Sequence, residues 1–115
     1  MGRSFSEKRL DLLRANDEIG PFLRESGLPL DAEYEYYTFL NRQTILNAVC
    51  DSGEAKPEVF GPVAEEIFRS EASLAGNRYF GKKNALTVRL LHSGEKRYRR
   101  VRRLWAALDK ARRLV

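Results

Sequence analysis

Apolar and polar positions recur along this chain at helical spacing. Ser4 with Glu7 three residues on has the form of a capping box, and Leu10 and Leu13 follow one turn apart. A first helix is therefore predicted from about Ser4, fading at Ala15-Asn16-Asp17. Gly20-Pro21 and Gly27-Leu28-Pro29 bracket a short second helix, Pro21 to Ser26. Asp31 is placed as the cap of a long third helix reaching about Cys50. Its apolar residues, among them Tyr34, Tyr36, Tyr37, Phe39, Ile45 and Val49, keep to no single stripe, the pattern of a helix enclosed on most sides.

Asp51 to Lys56 reads as a loop, and Pro57 suits the first position of a fourth helix ending at Gly76-Asn77. Val59, Phe60, Val63, Ile67 and Phe68 form its apolar face. Asn84 to His92 fits two patterns: a helix that brings Leu86 and Leu90 together, or a strand paired across His92-Ser93-Gly94-Glu95 with Tyr98 to Val101. The helix is preferred because the C-terminal segment beyond it is so clearly helical. With Ser93 as cap and Glu95 in the first turn, Tyr98, Val101, Leu104, Trp105, Leu108, Ala111 and Val115 share one side within about 140°. Lys96, Arg99, Arg100, Arg102, Arg103, Lys110 and Arg113 take the other side. Tyr98, Leu104, Trp105 and Leu108 are expected to anchor this helix to the body. The fold predicted is an all-α, single-domain bundle of five to six helices spanning 1–115, with a basic amphipathic C-terminal helix.

A length of 115 residues and a hydrophobic fraction of 43% suit one domain with a real core. One cysteine, Cys50, excludes an internal disulfide and fits a reducing compartment. Gln43 to Cys50, the longest uncharged stretch, is too short to span a bilayer, and the N-terminus lacks an apolar signal core. The protein is expected to be soluble and cytoplasmic or otherwise intracellular. Gly2 and Ser6 formally fit a myristoylation pattern, a match that arises often by chance, and a membrane is not expected as partner.

Charge changes the picture most. Residues 82–115 hold twelve Lys or Arg against Glu95 and Asp109, a net +10, whereas residues 1–81 carry a net −5. An acidic body thus ends in a strongly basic third, an asymmetry suited to a polyanionic partner. Eight of the twelve bases are arginine, whose planar fork matches phosphate oxygens bidentately. Arg99, Arg100, Arg102, Arg103, Lys110 and Arg113 are the candidate phosphate contacts. Arg78-Tyr79-Phe80-Gly81-Lys82-Lys83 is a second candidate, in which Tyr79 would stack on a base while Arg78, Lys82 and Lys83 hold phosphates. The plainer reading, preferred for the rings, makes Tyr79 and Phe80 core residues beside a turn.

The last helix has no Asn or Gln for reading base edges, so phosphate-dominated binding of DNA or RNA is favoured over sequence-specific duplex recognition. One His and one Cys do not build a nucleophile–base pair, and Glu65-Glu66 and Asp17-Glu18 diverge on a helix. No catalytic residue, metal ligand or cofactor is assigned. The sequence points to a non-enzymatic nucleic-acid-binding protein, an accessory factor or small subunit of a nucleoprotein complex. The alternative is a protein-interaction module, an inhibitor or adaptor whose basic face docks on an acidic protein.

Overall fold

A computed structural model describes residues 10–27, 29–53 and 56–114 of the chain, among which there are six helices and no strand. They are α1 (Leu10–Ser26), α2 (Asp31–Ser52), α3 (Pro57–Arg69), α4 (Glu71–Ala75), α5 (Lys82–His92) and α6 (Glu95–Leu114). The Ser4–Glu7 capping box and the Gly2–Ser6 pattern lie outside the described residues.

The long helix is central, as its unstriped sequence requires: α1 packs on one side of α2 and α3 on another. Phe39, Ile45, Leu46 and Val49 of α2 meet Phe60, Val63 and Ile67 of α3 in the core, joined by Leu74, Val88, Leu91 and Tyr98 from the later helices. Asp31 does not cap α2. Leu30 holds the cap position, and Asp31 sits in the first turn, where its charge complements the helix dipole.

Three boundaries differ from the sequence reading. The two N-terminal helices are one, α1 running unbroken through Gly20-Pro21. Tertiary contacts override the breakers here. Asn16 donates to Thr38 Oγ1 at 2.9 Å and accepts from Asn41 Nδ2 at 2.9 Å, while its carbonyl accepts from the Tyr34 hydroxyl at 2.6 Å. One turn on, a Cβ at Gly20 would lie 2.8 Å from that same hydroxyl, so only glycine lets the tyrosine pack there. Next, the fourth helix stops at Arg69 rather than at Gly76. The Ser70 hydroxyl and N–H both bond the carbonyls of Glu66 and Ile67, and the short α4 follows. Last, Ser93 ends α5 instead of opening α6, since its hydroxyl and N–H both bond the Leu90 carbonyl. Gly94, at φ 107°, takes a left-handed conformation that a side chain would strain. The chain therefore reverses between α5 and α6 in two residues, and 84–92 is helical rather than half of a β-hairpin.

Candidate nucleic-acid interface

The first two turns of α6 are clamped to the body. Tyr98 is buried against Phe60, with ring centroids 5.9 Å apart, and donates to Asn47 Oδ1 at 2.5 Å. Burial pushes its phenol up to about 12. Beside it, Arg102 grips Asp51 bidentately, Nε to Oδ1 at 2.9 Å and Nη2 to Oδ2 at 2.7 Å, which raises its pKa further. Arg99 reaches Glu95 at 3.1 Å and the Cys50 carbonyl at 3.4 Å. Cys50 and Asp51 belong to the last turn of α2, where unpaired carbonyls and the negative end of the dipole attract cations. Cys50 is a buried, packed side chain, and burial pushes its thiol up.

Beyond Arg102 the helix overruns the body. Every residue from Arg103 to Arg113 is exposed. Leu104, Trp105 and Leu108, expected as anchors, are 58, 59 and 57% exposed, so of that set only Tyr98 is buried. Helical periodicity identifies a shared apolar side correctly, but its outer half is left exposed, with Trp105 lining only an open groove beside α5.

The ten sequence candidates separate accordingly. Arg100, Arg103, Lys110 and Arg113 face solvent, and none forms an ion pair among the described residues. At 100° per residue, Arg100, Arg103 and Lys110 share with Lys96 a strip about 80° wide and about 21 Å long. Lys96, Arg100 and Arg103 border a shallow concavity of about 440 Å3. Helical phase alone puts Lys96 on the basic side without marking it as a contact; only the loss of Arg99 and Arg102 to carboxylates brings it forward. Those two arginines are structural cross-links: both are paired with carboxylates, and helical phase also sets Arg99 about 20° and Arg102 about 80° beyond the edge of the strip.

The second candidate cluster is also tied down. Arg78 and the Tyr79 hydroxyl both engage Glu33 of α2, with the guanidinium 4.9 Å from the tyrosine ring centroid. These contacts hold the Glu33 carboxyl below its ordinary range, the tyrosine hydrogen bond contributing most. Phe80 packs edge-on against Phe39, and Asn77 bonds the Ala32 carbonyl and Glu35. This turn fastens α4 and α5 to the start of α2. Lys82 and Lys83 remain exposed at the start of α5, but Lys83 lines a groove with Trp105, about 160° around α6 from Arg103. The structure does not join them to the α6 strip.

His92 is the last residue of α5, stacked on Phe68 and 2.6 Å from Glu71 Oε1. Among the described residues no three His, Cys, Asp or Glu converge on a point, and no helix is long and apolar enough to cross a membrane. No protein family, curated protein or solved structure matches the chain.

Proposed function

We propose that this is a non-enzymatic nucleic-acid-binding protein, an accessory factor or small subunit of a nucleoprotein complex, that holds phosphates along the outer strip of α6. The observation that carries the reading is Lys96, Arg100, Arg103 and Lys110 on one exposed strip without a carboxylate partner among the described residues. Like charges aligned on a helix repel, and this strip lacks the local acids that would offset the repulsion. A polyanion supplies that offset. The absence of Asn and Gln from α6 favours the phosphate backbone over base edges as the feature recognised.

The four cations of the strip, with Arg113 about 60° beyond Lys110 around the helix, offer five contacts. Affinity for duplex DNA then falls with salt at a log–log slope near −4.5, from about −0.9 per contact, and for single strands near −3.5. Titration of single- and double-stranded DNA and RNA across salt concentrations tests this. Binding of every nucleic acid only in the millimolar range at low salt removes the reading.

A further inference from the structure

A second surface of α6 is unpartnered, and its chemistry is different. Between α5 and α6 runs a groove of about 700 Å3 whose floor is Leu86, Leu90, Val101 and Trp105. Leu86 and Trp105 are each about 60% exposed, an unusual state for large apolar side chains that line one groove. Lys83, Arg89 and Arg97 line the same groove, which has no acidic residue. Two helices bordering an apolar trough form a seat for a third helix, which would insert side chains at i, i+4 and i+7. An occupant that matches this rim carries acids beside its apolar residues.

The same chain displays such a helix. On α1, opposite the Asn16–Gly20 side buried on α2, Asp11, Ala15, Glu18, Phe22 and Glu25 follow at intervals of four and three residues. All five are exposed and fall within an arc of about 80°, with Ile19 and Arg14 on its two edges. Phe22 is the most exposed large apolar residue described, at 69%. None of Asp11, Glu18 and Glu25 forms an ion pair among the described residues.

We infer that the α5–α6 groove binds the outer face of α1 of a second copy, Phe22 entering between Leu86 and Trp105 while Asp11, Glu18 and Glu25 meet the cationic rim. Like-on-like pairing of two grooves is disfavoured, because each belongs to a segment of net charge +10. The contact is head to tail, so each copy keeps one free donor face and one free groove, and association is open-ended unless a ring closes. The inference is independent of the nucleic-acid reading, since Lys96, Arg100 and Arg103 lie off this groove.

Sedimentation velocity at low salt tests it, with emission of Trp105, the only tryptophan, as local probe. Mean mass should rise past two copies with concentration, and the emission should shift to the blue. Phe22→Arg and Trp105→Glu change exposed residues, and each alone should weaken association about thirtyfold or more, as loss of an aromatic anchor does. Mixing the two should restore a 1:1 dimer that grows no further, because one variant keeps the groove and the other keeps the α1 face. A chain that stays monomeric to about 1 mM overturns the inference. So does self-association that the mixture fails to restore, or an emission shift seen only with anionic phosphatidylserine vesicles or an acidic helical peptide.

Discussion

The two halves of α6 are built from the same kinds of residue and behave oppositely. In the first half an aromatic ring is buried and Arg99 and Arg102 are engaged by carboxylates and a helix end, so the charge on that flank is cohesive. In the second half the tryptophan and two leucines stand in solvent and the arginines have no described acid partner. The difference lies in what stands opposite. Asp51 and the α2 terminus face the first half, whereas the second half runs past the end of α2 and borders α5 only across an open groove at Trp105. A cation's role here is set by its neighbours across the gap, and the helix that carries it is silent on the matter.

That contrast is broken most forcefully by exchanging the aromatics for alanine. Tyr98→Ala should cost about 3–5 kcal/mol of stability, the usual range for emptying a buried aromatic site, whereas Trp105→Ala should stay within about 0.5 kcal/mol. Urea denaturation measures both, and equal losses would place the outer half against the body after all. Next in size is an alkaline limb. The folded-state phenol of Tyr98 titrates near 12 against an ordinary value of 10.0. The folded chain therefore retains a proton that the unfolded chain loses, so stability is unaffected below pH 10 and falls by about 2–3 kcal/mol between pH 10 and 12. Tyr98→Phe should flatten that limb in a pH series of melting curves.

Arg100→Ser with Arg103→Ser should weaken nucleic-acid binding about fiftyfold at 0.1 M salt and reduce the salt slope by about 2, leaving stability unchanged. Arg102→Ser should do the reverse, with little effect on binding. Its stability effect is modest, under about 1 kcal/mol, because the pair with Asp51 is partly open to water. A double-mutant cycle with Asp51→Ala isolates that interaction.

Helical content, the central position of α2 and the start of α3 were legible because each depends on local spacing and Pro placement. The course of α1 was not. Gly20 and Pro21 are breakers by local propensity, and contacts from Tyr34, Thr38 and Asn41, eighteen to twenty-five residues beyond Asn16, hold the helix across them. Ser93 misled for a related reason: serine serves either helix end, and the left-handed Gly94 settles which. For the candidate site, the basic strip was visible as a face, but its division was not. Arg99 and Arg102 lie on the flank of the basic side that comes within reach of acids and carbonyls, and Asp51 is 51 positions from Arg102 in the chain. A carboxylate that distant in sequence leaves no periodic trace.

The hydrogen bonds of Asn16 to Thr38 and Asn41 have a consequence for assembly of the body. Apolar contacts alone would let α1 slide along α2 by a turn, about 5.4 Å, with a modest loss of stability. Sliding would strand two carboxamides among hydrocarbon with no water to satisfy them, a misfit far more destabilising than a lost van der Waals contact. The amides act as a keyway that admits one alignment, and through it they fix which way Phe22 points.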